Sequence, residues 1–252
     1  MATSIVLFDI PCQFPGKAWS LNTWKIRYIL QFKRIAFETR WVEYPDIERI
    51  CRAHGIVPTR FKADGSLHYT CPAIVDRSTG AALAESALIA DYLDETYPNT
   101  PKAFPAASTG LQFAFAEVHD FKFGPGWPLI APAVAKILNP HSAEYFIRTR
   151  SERFGKPLDE LITTEEERLR TLAKFQTEFW AIIEGWYSKT QGPFLMGGIV
   201  SYADFIIASD VRFLAAVWGE ESKNWEEFRS WHDGKWVKLR DEVDRLCHQS
   251  SE

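Results

Sequence analysis

Glu85 and Ser86 stand immediately before a helical run that reaches about Tyr97 and is ended by Pro98. At a helix start a serine hydroxyl joins the unpaired backbone N–H groups and the positive end of the helix dipole, a combination that holds a carboxylate. The neighbouring Glu85 carboxylate suits an ammonium on the same ligand, although Ser86 would also serve as a plain cap. Ser20 and Asn22 mark a second helix start, where either side chain can accept a bond from an orphan backbone N–H, and Thr23 follows them as a further hydroxyl. Cys71-Pro72 places a proline at the head of a strand. Cys12 lies in a loop that holds Pro11, Pro15 and Gly16. A thiol of low pKa there would be a nucleophile, whereas a buried or loop thiol is the commoner case.

The other potentially reactive side chains are scattered. Cys12, Cys51, Cys71 and Cys247 form no C-x-x-C pair, and His54, His68, His119, His141, His232 and His248 show no metal-binding spacing, so no metal is expected. A formal net charge of −4 gives no broad footprint for nucleic acid, which needs lysine and arginine against phosphate. The first ten residues lack a basic segment and reach Asp9, which fits neither a signal peptide nor a membrane span and points to the cytoplasm. With 46% hydrophobic and 14% aromatic residues, the 252-residue chain has core material for two domains of ordinary size.

The elements that must position these residues follow from patterning. Residues 4–10 read as a strand, 20–33 as a helix with Trp24, Tyr28 and Phe32 every four residues, and 37–44 as a second strand parallel to the first. A short helix near 46–54 leads into a loop-like stretch up to Thr70. Residues 71–76 and 81–84 then form a hairpin around Arg77-Ser-Thr-Gly80, and a helix completes β-α-β-(α)-β-β-α, a thioredoxin-like order. A proline-bearing linker at 99–105 separates a domain at 1–98 from one at 105–252. In the latter every strong pattern is helical, at 111–123, 129–138, 143–154, 164–187, 202–218 and 236–247. Thr163-Thr-Glu-Glu166 and Ser201-Tyr-Ala-Asp204 have capping-box spacing.

A thioredoxin-like α/β domain followed by an all-helical one resembles the soluble glutathione transferases. Cys71-Pro72 is placed like that family's cis-proline, whose preceding residue pairs its backbone with the cysteinyl part of glutathione. Glu85-Ser86 resembles the acid-serine pair that holds the γ-glutamyl group, and Ser201-Tyr-Ala-Asp204 after Gly197-Gly198 looks like the family's buried capping box. The stretch Trp19 to Arg27 is similar to the first helix of the fungal etherase-related class, close to bacterial β-etherases of lignin breakdown.

The resemblance implies glutathione as co-substrate, Ser20 as thiolate stabiliser with Asn22 as second donor, and attack on a hydrophobic, aromatic electrophile, with aryl ethers as the sharper version. It also implies a cytoplasmic homodimer with a detoxifying role. Two alternatives stay open: a ligandin that sequesters hydrophobic compounds without turnover, and a thioltransferase working through a Cys12 mixed disulfide. Arg49, Arg52, His54, Arg60, Lys62 and His68 are all candidates for the glycyl carboxylate. Phe113, Phe115, Phe121, Phe123 and Trp127 are candidates for core or pocket wall.

Overall fold

Ile5–Asp9 (β1) is buried along its whole length, which is why it reads as an unbroken apolar run: a central strand covered on both faces has no solvent side. The computed structural model describes residues 4–248 apart from Ala63. Leu21–Phe32 (α1) is the crossover that lets Phe37–Trp41 (β2) run parallel to β1, with Ile5 opposite Phe37. Ile47–Ala53 (α2) follows, then Arg60–Phe61 (β3), Leu67–His68 (β4), Ala73–Asp76 (β5), Ala82–Ala84 (β6) and Ser86–Thr96 (α3). The main sheet has the order β2-β1-β5-β6, with β5 antiparallel to both neighbours. This is the expected thioredoxin-like half.

The stretch expected to be loop-like up to Thr70 holds a small hairpin, with Arg60 paired to His68 and Phe61 to Leu67. Its turn contains Asp64-Gly65, where Gly65 takes a φ of 80° and the Asp64 carboxylate accepts the Ser66 N–H at 2.9 Å.

From residue 109 on, the described regular elements are helices: Thr109–Lys122 (α4), Trp127–Ile137 (α5), Pro140–Phe154 (α6), Glu165–Phe175 (α7), Ala181–Tyr187 (α8), Tyr202–Trp218 (α9) and Lys223–His248 (α10). α9 is buried over nearly its whole length and forms the axis of this half. The single helix expected at 164–187 is interrupted by a π-helical stretch, Gln176–Trp180. α10 starts earlier than the pattern at 236–247 suggested and breaks at Trp231 to Gly234, where His232, Asp233 and Gly234 all have positive φ.

Both capping boxes form, one of them shifted. Thr164, not Thr163, is the N-cap: its hydroxyl accepts the Glu167 N–H at 3.2 Å. Glu167 in turn accepts from the backbone of both threonines and from the Thr163 hydroxyl. At Ser201 the N–H and O–H both donate to Asp204 Oδ2 at 2.8 Å, and Oδ1 takes the Leu195 N–H and the Tyr187 O–H. Burial nevertheless pushes the Asp204 carboxyl up to about 6.

Three contacts fix the helices against the sheet. Buried Asp94 accepts from Lys33 at 2.7 Å and from the N–H groups of Ala103 and Phe104, while the Ala103 carbonyl accepts from Tyr202 at the start of α9. Tyr28 and Arg212 meet on Asp244, tying α1 to α9 and α10. Glu43 accepts from Asn139 and Ser142, and Ser142 Oγ accepts the Tyr44 N–H at 2.9 Å, which brings α6 over the segment after β2.

Candidate active site

The starts of α1 and α3 open into one cavity of about 650 Å³, a volume suited to small-molecule ligands. Its wall includes Ser20, Asn22, Cys71, Pro72, Glu85 and Ser86, so residues separated by sixty-odd positions in sequence meet as their types suggested. The Cys71–Pro72 peptide bond is cis.

Ser20 occupies the N-cap position of α1, but its hydroxyl makes no bond to the helix. The capping role is therefore left to the backbone, whose Ser20 carbonyl accepts the Trp24 N–H at 3.0 Å and the Thr23 hydroxyl at 3.1 Å. Thr23 is fully buried and outside the cavity wall, which removes it as a third donor.

At α3 the roles divide differently from the plain-cap reading. Glu85, not Ser86, is the cap: its carboxylate accepts from Ala87 and Leu88 N–H at 3.4 and 3.3 Å, and the Ser86 hydroxyl approaches the same carboxylate at 3.3 Å. Glu85 also carries a φ of 81° and a ψ of 125°, outside the regions side chains favour. Such a conformation costs about 1 to 3 kcal/mol and persists where the surroundings enforce it, commonly at ligand sites.

No cysteine is tuned to be a nucleophile. Burial raises the thiol of Cys12, raises Cys71 well above its ordinary value, and pushes Cys51 to about 11 and Cys247 to about 12. Cys12 is buried in a bridge to Leu138 and is absent from the cavity wall, which argues against a mixed disulfide at this position. Any thiolate chemistry in the cavity needs a thiol brought by the ligand.

Of the six basic candidates for a glycyl carboxylate, Arg60 and His68 line the cavity. Arg49 and Arg52 are paired with Asp46 and Glu48, and His54 contacts Arg40 and the Ile50 carbonyl. Of the five aromatic candidates, Phe123 and Trp127 line it, whereas Phe113 packs on Phe104, Phe115 on Trp186, and Phe121 is 82% exposed.

Sequence reasoning missed the far wall. Tyr44, Tyr145, Phe146, Arg150 and Phe154 come from the segment after β2 and from α6. The available signal was the spacing of Phe146, Arg150 and Phe154, one helix face at intervals of four. It also missed a buried charge cluster between α4 and α9. His119 Nε2 meets Asp210 at 2.6 Å and Nδ1 meets Asp120 at 3.2 Å. Burial opposes the imidazolium, yet the two carboxylates outweigh it and the His119 pKa is raised. Asp120, on the cavity wall, is held well below the usual carboxylate range: the His119 bond and the charges of Lys25 and Arg60 overcome its burial.

Comparison with known proteins decides what this arrangement is. Residues 19–96 match the family model "Glutathione S-transferase, N-terminal domain", and residues 110–246 match "Glutathione S-transferase, C-terminal domain". The chain belongs to the glutathione S-transferase family. Among its relatives, the glutathione S-transferase-like protein ustS of Aspergillus flavus is 35% identical over 246 residues, covering 92% of this chain and 87% of the relative. The glutathione S-transferase CsGST63524 of Ceriporiopsis subvermispora, solved in complex with glutathione, superposes with a TM-score of 0.92 at 38% identity over 99% of both chains. The glutathione transferase GSTFuA3 of Phanerochaete chrysosporium gives 0.87 at 38% identity over 98% of both. These relatives are fungal, as the first-helix resemblance implied. The paired Glu85 and Ser86, the cis-bonded Pro72 and Ser20, whose hydroxyl makes no bond to its own helix, line one cavity in this fold.

Proposed function

We propose that the protein is a serine-type glutathione transferase acting on hydrophobic, aromatic electrophiles. Glutathione lies with its γ-glutamyl carboxylate at Ser86 and the start of α3, its ammonium at Glu85, its cysteinyl backbone against Cys71 and Pro72, and its sulfur toward Ser20 and Asn22. The observation that carries the reading is the Ser20 hydroxyl, on the wall of the cavity with no bond to its own helix. That hydroxyl is available to donate to a thiolate.

The chemistry asked of the protein is modest. A thiolate at the α1 terminus gains from one hydroxyl donor and from the helix dipole. It attacks an electron-poor carbon, the C–S bond forms as the leaving group departs with its electron pair, and the thiol proton passes to solvent. Aryl ethers of lignin-like compounds fit this scheme with a phenolate as the leaving group. Phe123, Trp127 and Phe213 give the electrophile an apolar wall. Resemblance adds a cytoplasmic homodimer with a detoxifying role, which light scattering in solution checks for the subunit count.

Turnover with glutathione over a panel of aryl ethers, halo-aromatics and isothiocyanates tests the proposal. A glutathione-dependent product on at least one class is expected. Tight binding of the panel with no such product would replace the transferase with a ligandin.

A further inference from the structure

The cavity wall carries more positive charge than glutathione uses. Arg60, Arg150 and Arg153 line it as guanidinium cations, with the His68 and His119 imidazoles, against the two carboxylates Glu85 and Asp120. Glu85 stands at the γ-glutamyl end, and Asp120 is already engaged by His119, Lys25 and Arg60. For the glycyl carboxylate of glutathione the wall offers Arg60 and His68, the two of the six basic candidates that line it. Arg150 and Arg153 remain, and neither has a carboxylate within ion-pair distance among the described residues.

Arg153 shares the wall with Arg150, whose setting is aromatic. The Arg150 guanidinium lies 4.8 Å from the centre of the Phe146 ring and bonds Thr149 Oγ1 at 3.1 Å, which orients it and leaves further N–H groups to donate. Tyr44 stacks on Tyr145 beside it, with an interplanar angle of 13°. Phe154 completes the face. The positive field is felt by the neighbours: burial first, then the charges of Lys62, Arg150 and Arg60, lower the His68 pKa. The last turn of a helix favours cations in any case. What distinguishes this pair is the cavity they face and the lack of an acidic partner.

We infer that Arg150 and Arg153 form a subsite for a carboxylate on the aromatic co-substrate, so that the preferred electrophiles are aromatic acids. The inference rests on the transferase reading for the role of the ligand. A planar guanidinium held against a ring matches a carboxylate in bidentate fashion while the ring of the ligand packs on Tyr145 and Phe146.

The test is calorimetry on the whole protein saturated with S-methylglutathione, which cannot react, titrated with 4-chloro-3,5-dinitrobenzoate or its methyl ester. Wild type should bind the acid about tenfold more tightly than the ester, the size of a partly exposed charge-assisted contact. Arg150→Gln with Arg153→Gln should abolish that preference while S-methylglutathione binds as in wild type, and Arg150→Lys should retain part of it. Equal binding of acid and ester by wild type overturns the inference, as does an equal loss for both in the variant. A loss that falls on S-methylglutathione would assign the arginines to the glycyl carboxylate instead. If wild type fails to bind S-methylglutathione at all, the transferase reading is lost, and the acid-to-ester ratio measured without it still reads the subsite.

Discussion

Replacing Ser20 with alanine removes the hydroxyl that α1 leaves unused while keeping the backbone cap, since the Ser20 carbonyl and not its side chain holds the first turn. A hydrogen bond to a charged group is worth about 1.5 to 3 kcal/mol and one pKa unit about 1.36, so the hydroxyl should depress the bound thiol by roughly one to two units. Taking about 1.5 units below an ordinary thiol near 8.5, the thiolate fraction at pH 6.5 is about 24% in wild type and about 1% in Ser20→Ala. The less depressed thiolate is also the better nucleophile, by about fivefold for a Brønsted slope near 0.45. The net fall in kcat/KM at pH 6.5 is then only about fivefold, and near pH 9.5, where both thiols are ionised, the variant should equal or exceed wild type. Thiolate absorbance of bound glutathione against pH, read with a pH–rate profile, measures both quantities. An unchanged thiol pKa in Ser20→Ala, or a loss of rate that is the same at every pH, would refute the reasoning.

Other outcomes follow from the same geometry. Cys12→Ser should leave the thiolate titration and the turnover at wild-type values, because the thiol is buried away from the cavity; mixed disulfide with glutathione in wild type but not in the variant would contradict this. Ser86→Ala should raise the dissociation constant for glutathione by about tenfold, from the loss of one charge-assisted bond, with little change in Tm because Glu85 caps α3. Gly126→Ala should destabilise the protein by about 1 to 3 kcal/mol in urea unfolding, since a Cβ there would meet the buried Phe175 ring at 2.8 Å; it should also disturb binding at the adjacent Trp127. His119 has a folded pKa above its ordinary 6.5, so its stabilising charge is fully present below pH 6.5 and fades as pH rises through the folded value. The stability gap between wild type and His119→Gln should narrow with rising pH above 6.5, and a gap that widens would show the sign to be wrong.

The end of the cavity at the starts of α1 and α3 was legible because its signals are local. Glu85-Ser86 before a helix and Cys71-Pro72 before a strand announce backbone geometry through residue type, and the structure brings them together with Ser20. Their division of labour was not legible: which of two adjacent polar side chains caps a helix depends on a φ of 81° at Glu85 that no residue type requires. The register of the capping box at α7 was ambiguous for a related reason, as Thr163 and Thr164 each have a glutamate three residues on. The β3–β4 hairpin was missed although Asp64-Gly65 marks its turn, because its strands are only two residues each and carry little alternation. The break in α10 hides behind a continuing apolar pattern, with Trp225 and Phe228 before it, Trp231 at its first position and Trp236 and Leu239 after it, all buried. The far wall of the cavity depends on docking, through Glu43, Asn139 and Ser142, of two elements about a hundred residues apart. Spacing within α6 hinted at one face but not at what that face would meet.

A crystal structure of the protein with glutathione tests the central claim most directly. The account predicts the γ-glutamyl group on Glu85 and Ser86, and the sulfur within hydrogen-bond reach of the Ser20 hydroxyl with an open path to Trp127 and Phe123. Glutathione bound with its sulfur turned away from α1, or joined to a cysteine of the chain, would contradict it.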